Sequence, residues 1–498
     1  MKLAGTDPDL IIRCAIATIV ATLIVPAVAD VDLWGHVMFG RDIVAARSLP
    51  AFDHYAFTSD LPWIDHEWLT EVLMLGAYAS AGGAGLVLLR VVLLVALLAI
   101  VWHSIRRDGA TDRAALTLVT LLALLSYPRT QHVRPQLFSL VAFAGLLALL
   151  KTADRGRVRA LVAIPPLMAM WANLHGGFLV GLAPLGLWAA HATVDRRKSP
   201  RVRALTVAAL AAAVIATLVN PYGVGLWEFL TRTVGPERGD IVEWAPMTGA
   251  GGGMLTFWLV TALLAGLAMW REGRPRSLEG TALVVFLALA SFKVSRLDAF
   301  FTIATFMCLG GPLSSILGRR SRAGASAGRG RALTAFAVLA TAVAVAGYGL
   351  MRSGTPRPSC ISLSAAGWLP EPEAVASMSA NHLRGRLVVF FNWGEYALWH
   401  LAPRIKVSID GRRETIYSDR HIQSHLQLYR GTSAGLSYLR ELDADYVWLP
   451  GNLPVVKRLS AEGWKEIYSG ERSVIFGRPG RVPLALPQRA YSSCFPGP

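Results

Sequence analysis

The sequence predicts an all-α polytopic membrane core over residues 1–351, followed by a small external α/β domain over residues 352–498. Three observations predict it. Of the 498 residues 53% are apolar and only 16% charged, with a mean hydropathy of +0.44, whereas a soluble chain is about a quarter charged. Apolar runs close to the length needed to cross a bilayer core of about 30 Å recur as far as Met351. Beyond Met351 the pattern changes to short strand-like segments between helical ones. The same composition excludes a disordered chain, a collagen and a small disulfide-built fold.

The apolar runs centre on Ile11 to Ala29, Gly83 to His103, Ala114 to Tyr127, Pro135 to Leu150, Ala160 to Asn173, Phe178 to Thr193, Ala204 to Val219, Leu255 to Trp270, Thr281 to Phe292, Leu297 to Leu317 and Leu333 to Met351. That gives about 11 transmembrane helices. Several are short for a rise of about 1.5 Å per residue, so they must recruit flanking residues or be buried among other helices.

The basic residues fix an orientation, because short cytoplasmic loops collect Lys and Arg. Five inter-helix loops hold most of those before Met351: Arg106, Arg107 and Arg113; Lys151 to Arg159; Arg196 to Arg203; Arg271 to Arg276; and Arg319 to Arg331. With eleven spans threaded alternately, all five loops fall on one side. The amino terminus is then cytoplasmic and the carboxyl-terminal domain external, as in a multi-pass membrane protein. The formal net charge of +16 thereby becomes a record of topology, and no nucleic-acid partner is expected. Lys2, Arg13 and Ala27-Val28-Ala29 also resemble a signal peptide with its cleavage site. The reading kept is an uncleaved first helix.

In the external domain the segments Arg386 to Asn392, Ile405 to Ile409, Asp445 to Leu449 and Ser473 to Phe476 read as buried strands, and Asp419 to Tyr429 and Ala434 to Leu442 as helices. Cys14 and Cys308 fall in spans as small core residues. Cys360 and Cys494 bracket the external domain and are a disulfide candidate in an oxidising compartment. The tract Gly318 to Arg331 reads as a flexible cytoplasmic loop.

On this topology the unusual polar residues gather at the external ends of the spans. Asp30, Asp32 and His36 follow span one, and Asp65, His66 and Glu67 come later in the first external segment, residues 30–82. Arg129 and Arg134 follow span three, Asn173 and His175 end span five, and Asn220 and Tyr222 end span seven. Glu243 lies in the next long loop, and Lys293 and Arg296 turn between spans nine and ten. Each has a plainer explanation as a boundary marker, helix stop or snorkelling cation. Together they fit a site built at the membrane surface. Carboxylates there supply a general base, or a metal site if Asp30 and Asp32 converge, for which Mg or Mn is the candidate ion. Arg129, Arg134, Lys293 and Arg296 stand against the positive-inside bias and suit an anionic phosphate. Arg90, inside span two, must face that pocket or snorkel.

The segments DVDLWGH at Asp30 to His36, WIDHEWL at Trp63 to Leu69, RPQLFS, WANLHGGF, NPYG, FNWGEYALW and KVSIDGRRE look like those of a largely uncharacterised group of bacterial membrane proteins. That group is similar to the GT-C class of integral membrane glycosyltransferases. The resemblance to the group covers nearly the whole chain; that to the class rests on the first external loop and the span layout. It implies two surface helices in that loop, Gly35 to Arg47 and Asp65 to Ala81, with Pro50 to Pro62 extended between them. It also implies a polyprenyl-phosphate-linked sugar donor and a glycan, lipid or protein acceptor at the external face of the lipid membrane. Asp30 or Asp32 corresponds to the catalytic base, and Asp65 or Glu67 to a second acid. Arg134, Lys293 and Arg296, with Arg129 beside them, correspond to the donor-phosphate contacts. His36, His66, Asn173, His175, Asn220, Tyr222 and Glu243 are the remaining substrate-binding candidates. The IDHEWL element departs from the proline-rich form common in the class, which leaves open which acid is catalytic. The expectation is an inverting transferase of cell-envelope glycan synthesis. Its rivals are a transporter or flippase of a lipid-linked glycan and a non-catalytic envelope assembly protein.

Overall fold

The computed structural model describes residues 26–196, 198–234, 242–273, 277–317, 360–363, 368–487 and 491–498. Nearly all of the first expected span, the whole of the eleventh and the Gly318 to Arg331 tract lie outside them. The chain divides into two compact units, Met1–Ala27 with Val87–Pro358 and Val28–Leu86 with Ser359–Pro498. The first external segment, attached to the helical core in the sequence reading, thus belongs with the carboxyl-terminal residues.

The first unit is helical: the distal part of α2 (Trp68–Arg107), then α3 (Asp112–Thr130), α4 (Gln136–Asp154), α5 (Ile164–Leu174), α6 (Phe178–Val194), α7 (Pro200–Ala216), α8 (Val224–Val234), α9 (Gly252–Glu272), α10 (Leu278–Lys293), α11 (Asp298–Cys308) and α12 (Gly310–Leu317). Polar caps start several of them. Thr111, Ser199 and Ser277 accept the N–H of Ala114, Val202 and Gly280, each satisfying a first-turn donor that has no partner inside its helix. The buried apolar stripe of α4 packs against α5, α6 and α11. Other faces carry exposed Leu88, Val92 and Val95 on α2, Leu259 and Leu263 on α9, and Phe286 and Leu289 on α10. Spacings of three and four residues put such groups on one outward stripe, the pattern of helices solvated by lipid.

By length and composition, α2, α4 and α9 are able to cross a membrane; Ser295–Cys308 with Gly310–Leu317 makes a fourth only if that pair, bent by 71°, is one span. The sequence count of eleven therefore includes helices of 11 to 17 residues, and span ten is a bent pair rather than one rod. In α2 helical geometry breaks at Ala81 and at Gly82, whose φ of +58° suits a residue without Cβ. That break falls where the sequence places the end of the second surface helix and the start of span two.

The second unit begins with α1 (Leu33–Ala46) and the first part of α2. Its carboxyl-terminal part carries α13 (Pro372–Ala380), β1 (Gly385–Val389), α14 (Gly394–Leu401), β2 (Ile405–Val407), α15 (Asp419–Tyr429), α16 (Ser433–Glu441), β3 (Tyr446–Pro450), α17 (Val456–Leu459), β4 (Lys465–Ser469) and β5 (Ser473–Gly477). The strands form one five-stranded sheet in the order β2-β1-β3-β5-β4. Leu387 of β1 is in parallel register with Val407 and with Tyr446, while β3, β5 and β4 run antiparallel. Under the sheet, Leu428, Leu436 and Leu439 of the two amphipathic helices pack with Val388, Val447, Leu449 and Phe476. Four strands match the sequence reading. The edge strand β4 escapes it because only Ile467 and Tyr468 of KEIYS are buried. Cys360 and Cys494 are joined by a disulfide.

Candidate active site

Asp32 stands at the N-cap of α1, where an aspartate normally accepts a first-turn amide. Its side chain makes no capping bond. The Gly35 N–H instead donates to Glu395 Oε2 at 3.0 Å, a partner from the first turn of α14. Asp30 is spent locally: it is buried, and its Oδ1 accepts the Asp32 N–H at 3.3 Å. Asp32 is the partly exposed member of the pair.

Two glycines make this arrangement fit. A Cβ on Gly411 would lie 2.0 Å from Asp32 Oδ1 and 2.8 Å from Glu395 Oε1, so both carboxyls converge on a bare backbone. A Cβ on Gly35 would meet Glu395 Oε2 at 2.1 Å. Burial, reinforced by Asp32 and Asp410 and only partly offset by Arg412, pushes the Glu395 carboxyl well above the usual carboxylate range.

The DGR turn anchors the other side. Arg412 donates from Nη1 to Asp53 Oδ1 and from Nη2 to Asp410 Oδ2, each at 2.6 Å, and from Nε to Asp410 Oδ1 at 3.0 Å. Its guanidinium lies 4.6 Å from the Trp63 ring centroid and 4.7 Å from that of Phe39. Tyr417 adds its hydroxyl to Asp410 at 3.0 Å. Trp34 of α1 donates to the Pro496 carbonyl and stands edge-on to Tyr396 of α14 with ring centroids 5.1 Å apart, so the DLWGH segment contributes packing as well as charge.

Beside this lies a second polar group. His36 Nδ1 is 3.3 Å from Glu71 Oε1, and its Nε2 is 3.9 Å from Glu67; His66 is 3.5 Å from Glu67. Burial lifts the Asp65 carboxyl to about 6, against the opposing influence of Glu71 and His66. Asp65, His66, Glu67 and His36 are thus brought together, and Glu71 completes the group. Among the described residues no three His, Cys, Asp or Glu are placed to hold a metal ion. No step below passes through a metal.

In the first unit Glu243 gathers the cations. Arg129 reaches it at 3.1 Å and Arg134 at 2.5 Å. Burial alone would raise its carboxyl, but Arg134, Arg296 and Arg129 outweigh burial and hold it below the usual range. Arg129 is buried and turned inward: its Nε donates to Asp298 at 3.0 Å and its Nη2 to the Ser295 carbonyl at 3.0 Å. Arg296 lies 5.8 Å from the Trp244 ring centroid, and Lys293 is exposed. Arg90 is fully buried and donates to the Thr130 carbonyl at 2.6 Å, tying α2 to the end of α3.

The remaining candidates close helix ends. Trp171 Nε1 donates to Ser139 Oγ at 2.7 Å, and His175 Nδ1 lies 2.7 Å from the same oxygen and accepts the Gly177 N–H at 2.8 Å. Asn173 donates to the Val219 carbonyl at 2.7 Å. Asn220 Oδ1 accepts the Tyr222 N–H at 2.8 Å, the hydrogen-bonded turn that NPYG favours.

The residues missed by sequence reasoning are Glu395, Glu71 and Ser139. Glu395 sits inside the quoted FNWGEYALW segment, and an acid amid seven apolar or aromatic neighbours is the signal that marks it.

No protein-family model and no curated protein matches the sequence. Solved structures do match in fold, and they define a class: the chain has a GT-C-type fold. The oligosaccharyltransferase AglB of Archaeoglobus fulgidus, in complex with an inhibitory peptide and a dolichol-phosphate, is similar with a TM-score of 0.58 at 12% identity, over 95% of this chain and 74% of that one. The arabinofuranosyltransferase AftD from mycobacteria gives 0.55 at 16% identity, over 96% of this chain but only 42% of AftD. ArnT from Cupriavidus metallidurans, bound to undecaprenyl phosphate, gives 0.52 at 14% identity, over 95% of this chain and 98% of ArnT. At such identities the likeness is one of fold.

Proposed function

We propose that the chain is a membrane glycosyltransferase that moves a sugar from a polyprenyl-phosphate donor to an acceptor hydroxyl at the external membrane face, in cell-envelope glycan synthesis. One observation carries this reading. In a GT-C-type fold, the acid at the start of α1 is relieved of helix capping and partly exposed, while its neighbour Asp30 is buried in a turn. Asp32 takes the proton of the acceptor hydroxyl, and the oxygen attacks the anomeric carbon. The bond from that carbon to the phosphate oxygen breaks, and polyprenyl phosphate leaves with inversion. In the first unit Arg134, Arg296 and Lys293 are the candidates for binding a phosphate, and Arg129 is bonded to Asp298 and Ser295.

The test is transfer from a labelled polyprenyl-phosphate sugar in membranes carrying the chain. Asp32→Asn is expected to lower turnover by about 10²- to 10⁴-fold, the usual contribution of a general base. Unchanged transfer in that variant would remove the mechanism.

The bend of 71° between Ser295–Cys308 and Gly310–Leu317 favours a second reading, since transporters use broken helices. Translocation of a lipid-linked sugar in vesicles without any transfer would select it.

A further inference from the structure

We propose that the carboxyl-terminal part of the second unit holds a binding site for an organic ammonium group, in a cavity between the start of α13, the turn from β4 to β5 and the segments beside the disulfide. The cavity has a volume of about 540 Å³, within the roughly 300–1,000 Å³ of small-ligand sites. Neither Asp32 nor Glu395 lines it. Bonds within the unit fix its walls. The Leu363 N–H donates to the Ser493 carbonyl at 2.9 Å, next to the Cys360–Cys494 bond. At the N-cap of α13, Glu371 Oε1 accepts the Ser473 hydroxyl at 2.7 Å and its Oε2 accepts the Arg472 N–H at 3.2 Å. A Cβ on Gly470 would collide with Glu371 Oε1 and with the Tyr468 hydroxyl, so the turn meets that carboxylate as bare backbone.

Two observations point to a ligand and to its charge. Tyr396 of α14 lines the cavity and is 2% exposed, yet no hydrogen bond of the described residues uses its hydroxyl. A buried phenol ordinarily has a partner. Burial, then Glu373 and Glu371, hold this phenol neutral and well above its ordinary value, so its hydroxyl is a donor turned toward the acidic wall. The second observation is the balance of that wall. Glu371, Glu373 and Glu471 line the cavity against one cation, Arg472, whose Nη1 donates to the Leu369 carbonyl at 3.3 Å. A chain with a formal net charge of +16 thus presents an acidic cavity here. Glu373, in the first turn of α13, is half-buried and makes no hydrogen bond or ion pair with the described residues. Carboxylates only accept hydrogen bonds, so the ligand must donate. An anion would meet like charge, and a neutral hydroxyl would leave the negative charge uncompensated. An ammonium group brings donors and the opposite charge together, and the rings of Tyr396 and Tyr468 are of the kind that attract a cation. An amino sugar of a glycan and a free polyamine share this chemistry.

The experiment is calorimetric titration of the full chain in detergent with glucosamine, N-acetylglucosamine, glucose and spermidine, for the parent, Glu373→Gln and Tyr396→Phe, with the unfolding midpoint of each chain measured alongside. Glucosamine is expected to bind saturably, and N-acetylglucosamine, the same ring without the charge, about tenfold more weakly. Glu373→Gln should lower the affinity for glucosamine by about tenfold and Tyr396→Phe by about fivefold, with unfolding midpoints unchanged, since neither removed group is bonded within the unit. Saturable binding of spermidine but not of glucosamine, with the same dependence on Glu373, keeps the ammonium site and assigns it to a free polyamine. Equal affinity for glucosamine, N-acetylglucosamine and glucose overturns the proposal in favour of a neutral-sugar site. Absence of binding by either amine overturns it too, as does amine binding that both variants leave unchanged. The readout is binding and not transfer, so the outcome is the same whether or not Asp32 is the base.

Discussion

Replacing Arg412 with leucine removes the only guanidinium bonded to both Asp53 and Asp410, among the hydrogen bonds and ion pairs of the described residues. Both carboxylate side chains are fully buried, and Arg412 itself has 5% of its side chain exposed. Burial works against a charged guanidinium, but Asp410 and Asp53 hold it charged, well above its ordinary value. Breaking a buried pair by removing one partner costs about 3–5 kcal/mol, because the other charge stays buried without its counter-ion. Loss of the contacts to Trp63 and Phe39 adds about 1 kcal/mol, so about 5 kcal/mol is expected in all. For a unit of this size each kcal/mol lowers the unfolding midpoint by about 2–4 °C, giving a drop of about 10–20 °C. The assay is thermal unfolding of the full chain in detergent, followed by tryptophan fluorescence. Arg412→Lys keeps the charge but not the planar two-pronged geometry and should fall between the two. A shift below about 1 kcal/mol for Arg412→Leu would mean that the two carboxylates do not depend on this cation.

Asp65 and the disulfide give two further tests. Because burial lifts the Asp65 carboxyl to about 6 from 3.8, its contribution to stability is full below the unfolded value and falls as pH rises through about 6. Asp65→Asn should therefore match the parent at pH 4 and exceed it by about 2 kcal/mol at pH 7; a difference that does not grow with pH would refute this. Reducing Cys360–Cys494, which closes a loop of 134 positions, should cost about 3–5 kcal/mol by the loop-entropy argument, read as a lower unfolding midpoint in reductant.

Much of the fold was legible because it is written in local periodicity. The apolar runs marked the helices from Asp112 to Ala216 and from Gly252 to Lys293, whereas α8, Val224–Val234, fell in what the sequence reads as a long loop. Four strands of the carboxyl-terminal sheet were readable from their β-branched and aromatic runs. Cys360 and Cys494, a candidate pair from their bracketing positions, are joined in the structure. The bend within Leu297 to Leu317 left a trace that periodicity alone passes over: Gly310-Gly311-Pro312 follows Leu309, where α11 gives way to α12.

The same division applies to the candidate site. The sequence by itself determined which residue types stand at the ends of the spans, since charge and hydropathy fix what an end must carry. It left Asp30 and Asp32 as equivalent choices, and Arg129 on a par with Arg134. Tertiary structure separated both pairs. Asp30 Oδ1 accepts the Asp32 amide and Arg129 bonds to Asp298, whereas the first turn of α1 is capped by a glutamate from the other end of the chain. The physical reason is range. Helix and strand preferences act over a few residues and repeat, so they leave a pattern. A hydrogen bond between Gly35 and Glu395 occurs once, across 360 positions, and nothing in the local sequence of either partner encodes the other.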